Sequence, residues 1–342
     1  MSRGKKVLFL GGSGLLSGCT LSAFIEKEFD ISVLSRGNRR LPEAKNLFFL
    51  KADRKDFSSL SSVLENKKFD FTVDFLAYDD IDIKNLFSVK GFQTSRYCMI
   101  SSGQVYLVTQ DQKPPFKEED YSHPIICEPL PGTYDWHNWV YGMGKRRAEA
   151  ELEVQSSVKG FESLALRLPV VQGEKDGENS KRLWAWLERM KDGVPVILPD
   201  GGENQLRFIY AQDAALFLLE LALSPFWPEE KALNLAQNKE MSLKNFLALA
   251  AACGGFKPEF VEVKFEKLSQ AGIEDFCYPY WGKWCSRPDP FKAISLYRFR
   301  PREPEEYLPS VVRAHIENPP QLSHSGYSFR KKELEVLRSL SL

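Results

Sequence analysis

Three side chains in this 342-residue chain have the types and spacing for proton transfer: Ser102, Tyr141 and Lys145. Tyr141 and Lys145 stand four positions apart, so on a helix they share a face. Free tyrosine titrates near pH 10, too high for a base at neutral pH. A neighbouring ammonium favours the phenolate. A downward shift of roughly 3 units requires about 4 kcal/mol, within reach of two nearby cations in a shielded cleft. Ser102 ends the run Arg96-Tyr97-Cys98-Met99-Ile100-Ser101-Ser102, which reads as a strand. Ligands collect at such strand ends in open α/β sheets, where Ser102 would hold a substrate oxygen while Tyr141 exchanges its proton. Gly142 and Gly144 interrupt the helical pattern at about 1 kcal/mol each relative to Ala, which suggests close approach by something bulky. Taken alone, a Tyr-x-x-x-Lys pair is more often a surface coincidence.

The elements around the trio change that balance. Val7-Leu8-Phe9-Leu10 runs directly into Gly11-Gly12-Ser13-Gly14, and a helical pattern starts near Leu15. A buried strand, a tight glycine turn and a helix make a place where a pyrophosphate sits against backbone N–H groups. Gly11 would make the turn, Gly14 would allow close approach, and Ser17 stands at the third small position. A bound oxidised nicotinamide would supply the second cation beside Tyr141, and such a cofactor would exchange hydride with the substrate carbon. The second strand, Ile31–Leu34, ends in Ser35-Arg36-Gly37-Asn38-Arg39-Arg40 with no acid to accept from a ribose 2′-hydroxyl. Arg36, with Arg39 and Arg40 behind it, would instead pair with a 2′-phosphate, which favours NADP with NAD as the alternative. Asp53, followed by Arg54, closes a third strand over 47–53 and reads as an adenine contact or a helix N-cap.

Further strands are expected over 71–77, 96–102 and 164–171, with helices between them, which calls for right-handed βαβ units. Asp74 inside the fourth strand is a candidate buried carboxylate. The segment 111–131 reads as a surface loop, and 145–154 as helical. Gly173 to Asn179 reads as a charged turn, and Asp213 as the N-cap of a helix over 214–223. The expected fold is α/β, a doubly wound parallel-sheet Rossmann domain over residues 1–170 with a smaller α+β substrate domain over 171–342. Segments near 204–222 and 232–236 return to the first.

Lys plus Arg equals Asp plus Glu at 46 each, a zero net charge that argues against a general nucleic-acid or acidic-membrane binder. Six scattered cysteines without a C-x-x-C pair and four spaced histidines argue against structural zinc or any metal. With no visible signal or membrane-spanning run, the cysteines suit a reduced cytoplasmic setting.

The stretches Gly11-Gly12-Ser13-Gly14-Leu15-Leu16, Ile100-Ser101-Ser102-Gly103-Gln104-Val105-Tyr106 and Tyr141-Gly142-Met143-Gly144-Lys145 together resemble the extended short-chain dehydrogenase/reductases. More narrowly, they resemble the NAD-dependent epimerase/dehydratase group. Leu166–Pro169 with Gly173, Phe208–Ala215 and the run from Lys292 to Pro301 are similar to its later signatures. The resemblance implies catalytic roles for Ser102, Tyr141 and Lys145. It implies a cofactor lining from Gly11, Gly12, Ser13, Gly14, Leu15, Leu16, Arg36, Asp53, Arg54, Leu76, Ala77 and Pro169. Trp136, Gln172, Arg207 and Arg302 are the candidates for substrate contact. The family's usual arginine that grips a sugar-nucleotide diphosphate is not aligned: Arg207 falls one place late, and neither Arg287 nor Arg302 matches the second cleanly. The implied function is hydride and proton transfer on a nucleotide-sugar or related carbonyl compound, in a chain that can form a homodimer. The alternatives are a regulatory or RNA-associated protein of the same fold and a reductase of a carbonyl compound that carries no nucleotide.

Overall fold

Strand β1 (Lys5–Leu10) sends Val7 and Phe9 to one face and Leu8 and Leu10 to the other, all four fully buried. A strand apolar on both faces needs helices on both sides, and the chain supplies them. A computed structural model describes residues 4–27, 29–110, 113–175 and 180–340. After β1 come α1 (Leu15–Ile25), β2 (Phe29–Ser35), β3 (Leu47–Lys51), α2 (Phe57–Leu64), β4 (Lys68–Asp74), α3 (Asp80–Ser88), β5 (Gln93–Ser102), the single turn α4 (Gln104–Leu107) and α5 (Tyr134–Lys159). Then follow β6 (Glu162–Leu168), β7 (Val170–Gln172), α6 (Arg182–Lys191), β8 (Val196–Pro199), β9 (Gln205–Leu206), β10 (Phe208–Tyr210) and α7 (Ala211–Leu223). The chain continues through β11 (Ala232–Asn234), β12 (Met241–Ser242), α8 (Leu243–Gly254), β13 (Phe260–Val263), α9 (Phe265–Gln270), α10 (Phe291–Tyr297), α11 (Pro304–Glu317) and α12 (Arg330–Leu340).

The main sheet is seven-stranded and parallel, in the order β11-β6-β5-β4-β1-β2-β3. This is the doubly wound Rossmann arrangement. One core holds Val7, Phe9, Phe24, Phe71 and Leu166 with Phe217 and Leu218 of α7. The other holds Leu8, Leu10, Leu60, Ile83, Tyr97 and Met99 with Ala148 and Leu152 of α5. A third core, with Trp186, Phe208, Phe246, Tyr280 and Tyr307, lies among α6, α8, α11 and the short strands. In it Arg189 and Glu333, both fully buried, pair at 2.7 Å. Arg189 also donates to the carbonyls of Cys277 and Gly326, so α12 is tied to two loops at once.

Several local expectations are corrected. The strand expected over 164–171 breaks at Pro169, which lacks the N–H a ladder needs, and β7 pairs with β10 instead. Residues 205–210 do not join the main sheet; Ile209 faces the Rossmann core while Phe208 and Tyr210 face the third core. Asp213 is not the N-cap of α7. The helix starts at Ala211, and the Asp213 carboxylate accepts from the Arg302 backbone N–H at 2.7 Å. The N-cap of α2 is Asp56 rather than Asp53. Helix α5 begins eleven residues before Lys145, capped by Thr133, so Trp136 and His137 lie on the same helix as Tyr141. The described part of 111–131 is more than a surface loop: Phe116 is buried, and the Tyr121 carbonyl accepts from Arg146 at 2.7 Å. Of the turn expected over Gly173–Asn179, residues 176–179 lie outside the described residues.

Candidate active site

Two glycines let α5 lie against the strand ends. A Cβ on Gly144 would stand 2.4 Å from the Tyr78 carbonyl oxygen, and one on Gly142 would stand 2.8 Å from that of Gln104. The bulky neighbours implied by the sequence are therefore backbone carbonyls and, at Gly142, the Val108 side chain at 2.7 Å. The approach brings Tyr141 and Lys145 to the carboxyl ends of β4 and β5. Lys145 is buried and donates to the carbonyls of Ala77 at 2.7 Å and Ile100 at 2.8 Å. Its ammonium lies 4.5 Å from the Tyr78 ring centroid and 5.9 Å from that of Tyr141. Burial pulls its pKa down to about 8, against the opposing pull of Asp74 and Glu149.

Tyr141 is 39% exposed, but that exposure is to a walled cleft. Loss of solvent raises its pKa, opposed by the Ser102 hydroxyl hydrogen-bonded to it and by the charge of Arg182. The expectation that Lys145 lowers the Tyr141 pKa is therefore corrected for the free protein: the ammonium is turned toward carbonyls, and burial dominates. The Ser102 hydroxyl in turn accepts from the Gln104 backbone N–H at 3.2 Å.

Two buried ion networks brace this arrangement. Asp74, fully buried, takes both oxygens to Arg54 at 2.6 and 2.8 Å, and also accepts from Tyr97 and from the Leu76 N–H. Asp82 accepts from Lys55 and from the backbone N–H of Tyr78, which sets the loop carrying Ala77 and Tyr78. Arg54 is thus a structural residue beneath the cleft, a correction to its expected cofactor contact: a buried carboxylate demanded the guanidinium. On the other side of α5, Glu149 accepts from Arg167 at 2.7 Å and from Ser101.

The glycine loop fits a dinucleotide. Gly11 has φ +92°, which only glycine adopts without strain, and a Cβ on Gly12 would stand 2.6 Å from Val33. Helix α1 begins at this loop with no acid in its first turn, a favourable end for a pyrophosphate. Ser17 fills the third small position, and its hydroxyl accepts from the Gly14 N–H at 2.9 Å. Leu76 packs over Gly11, while Leu15 and Pro169 line the cleft. Leu16 points into the core, and the Ser13 carbonyl accepts from Arg39 at 3.1 Å. Arg40 pairs with Glu43. Arg36 is exposed and without a partner among the described residues, so of the three arginines it alone is uncommitted. Asp53 is half-buried and accepts from the Lys55 N–H at 3.0 Å.

The cleft, about 720 Å³, opens from Leu15 past Ser102 and Tyr141 to a wall from the last third of the chain: Tyr278, Tyr280, Trp281, Trp284 and His324. The four residues expected to touch substrate lie elsewhere. Trp136 donates to Glu128, and Gln172 is fully buried against the Tyr280 hydroxyl. Arg207 sits between Glu240 and Asp289, and Arg302 pairs with Asp213. Each arginine has been claimed by an acid distant in sequence. Tyr78, Tyr134, Asn138 and Arg182, which sequence reasoning missed, do line the cleft. Asn138 and Tyr134 carried a signal: they stand one and two turns before Tyr141 on the same helical face. Among the described residues no group of His, Cys, Asp and Glu could hold a metal ion, and no helix is long and apolar enough to cross a membrane.

The sequence pattern of the NAD dependent epimerase/dehydratase family matches residues 7–236. The chain is 24% identical over 274 residues to the chloroplast stem-loop binding protein of 41 kDa b of Arabidopsis thaliana, covering 75% of this chain and 65% of that relative, which is less than two thirds of its length. In structure it is similar to a UDP-glucose 4-epimerase from Thermotoga maritima solved with UDP-glucose, at TM-score 0.70 and 18% identity over 91% of this chain and 99% of the other. It is also similar to a dTDP-glucose 4,6-dehydratase from Bacillus anthracis solved with NAD, at TM-score 0.69 and 14% identity over 92% and 97%.

Proposed function

Because this chain belongs to the NAD dependent epimerase/dehydratase family, a family of enzymes, we propose that it transfers hydride and a proton at a carbinol or carbonyl carbon of a nucleotide-sugar or related substrate. The observation that carries the reading is the convergence of Ser102, Tyr141 and Lys145 at the strand ends beside the glycine loop. Gly11, Gly12, Ser13, Gly14 and Leu15 would hold the pyrophosphate of the dinucleotide, with Leu16 securing the helix to the sheet, Leu76 and Ala77 flanking the loop, and Pro169 bounding the nicotinamide end. Asp53 would reach the adenine. When bound, the dinucleotide supplies the hydride acceptor or donor.

Within that site Ser102 hydrogen-bonds the substrate oxygen, and Tyr141 takes or returns its proton. An ammonium has three donors, and Lys145 uses two on carbonyls. The third is left for a ribose hydroxyl. Arg36, just past the end of β2, exposed and without a partner among the described residues, supports NADP over NAD.

Turnover of Tyr141→Phe tests the assignment, with NADPH and NADH titrations as the control. Turnover should fall by about 100-fold or more, the scale of losing a general acid–base, while cofactor affinity and folding stay near normal. Near-normal turnover would refute the catalytic role. A second reading, an RNA-associated protein of this fold, draws support from the name of the Arabidopsis relative. The neutral net charge and the assembled trio weigh against it.

A further inference from the structure

Strand β3 is an outer edge of the seven-stranded sheet, and what it presents to solvent is apolar. The Asn46 carbonyl accepts from the Ile31 N–H, and the Ala52 N–H donates to the Ser35 carbonyl. Even-numbered residues along β3 therefore turn their peptide groups toward β2, and Leu47, Phe49 and Lys51 turn theirs outward. The Leu47 N–H closes a turn onto the Ala44 carbonyl at 3.2 Å. The Leu47 carbonyl, and the N–H and carbonyl of Phe49 and of Lys51, have no hydrogen-bond partner among the described residues. On the two faces of the strand, Phe48 is 53% and Phe49 46% exposed. Edge strands are normally blunted by charge, proline or a covering element. The single charge within β3 is Lys51, at its end.

The sequence around this edge is complementary to itself. In an antiparallel pair an outward-facing residue must meet an outward-facing residue, so the register shifts in steps of two. In a pairing of two copies centred on Phe49, Lys45 stands opposite the partner's Asp53, and the two-fold axis repeats that contact at the other end. Centred on Phe48 instead, Lys45 would face the partner's Lys51; centred on Leu50, it would face the partner's Lys55. Opposite charges stabilise a cross-strand pair and like charges destabilise it, so the charges select the Phe49 register.

We propose that β3 is a self-association edge, where two copies of this chain pair antiparallel about an axis through Phe49 and their sheets become one. The Phe49 N–H donates to the partner's Phe49 carbonyl and the reverse, and each Lys51 N–H donates to the Leu47 carbonyl across the axis. Phe49 meets the partner's Phe49 on one face, and Phe48 meets the partner's Leu50 on the other. A groove of about 450 Å³ between Phe49 and the loop carrying Leu41 and Pro42 leaves room for the second ring. Asp53 accepts from the Lys55 N–H, and a carboxylate has the lone pairs to take the partner's Lys45 as well. The inference stands apart from the proposed function and does not need it.

The test is sedimentation of the full chain over about 1–200 µM, where a small edge interface should show a monomer–dimer equilibrium. Phe49→Asp sets two carboxylates face to face on the axis and should weaken association about tenfold or more. Lys45→Asp should weaken it about threefold or more, and Lys45→Asp combined with Asp53→Lys should restore it. Under a mild thiol oxidant, Phe49→Cys should form a disulfide-linked dimer above the level of the wild type, whose own cysteines include the exposed Cys127. A hydrogen-bonded pair sets its Cα atoms about 5.5 Å apart, within disulfide reach. Lys51→Cys faces the partner's Leu47 and should not link. A chain that stays monomeric across the range overturns the proposal. So does a dimer that survives Phe49→Asp, or one that Phe49→Cys does not link, since it uses another surface. If Phe49→Asp fails to fold, the charge exchange decides, and association that the exchanged protein does not recover overturns the proposal.

Discussion

Replacing Lys145 with Met removes a buried charge while keeping a side chain of similar length, so its effect on stability depends on pH in a calculable way. In the folded protein burial lowers the lysine from 10.5 to about 8. The unfolded chain keeps its proton up to the higher value. Between the two, the unfolded state binds more protons, so this group makes stability rise with pH. The shift of about 2.5 units corresponds to about 3 kcal/mol in full, of which about 2 kcal/mol should develop between about pH 7 and pH 9.5. Below about pH 7 both states are protonated and the whole charging cost is present. Urea unfolding of both proteins at the two pH values measures it. Wild type should gain about 2 kcal/mol relative to Lys145→Met on going to the higher pH. Parallel curves for the two proteins would show that the ammonium is not desolvated in the fold, and the account of the site would fail at its foundation. The same variant should also bind NADPH more weakly, because the remaining donor is lost.

Arg36→Asp should weaken NADPH by about tenfold or more and leave NADH unchanged, read by fluorescence titration, since only the former carries the 2′-phosphate; equal losses would remove Arg36 from that role. Gly144→Ala should destabilise by about 1–3 kcal/mol despite alanine's better helix propensity, because its methyl meets the Tyr78 carbonyl. A gain in melting temperature would contradict the close approach.

The sheet was legible because its signal is local: four apolar residues run into a glycine turn and a helix, and strand-like runs then alternate with helical ones before the chain reaches the site. The trio was legible because Tyr141 and Lys145 lie within one turn and Ser102 ends a strand. What escaped was set by partners far apart in sequence. Arg54 reads as a cofactor residue until Asp74, twenty positions on, is seen to hold it. Arg207 reads as an anion ligand until Asp289 and Glu240 fold against it. Arg182 carried no motif, and only the folded cleft shows that no aspartate or glutamate stands among the described residues lining it.

The buried pair of Arg189 and Glu333 also orders events in time. A chain made from its N-terminus has the whole of the parallel sheet, through β11, in hand well before Glu333 is added, 144 residues after its partner. Until then Arg189 would be an uncompensated charge, so the third core cannot close around it without strong cost. The loops at Cys277 and Gly326, which Arg189 holds by their carbonyls, border the aromatic wall of the cleft. On the proposed reading of the cleft, the nascent protein therefore completes its glycine-loop half first and its aromatic wall last.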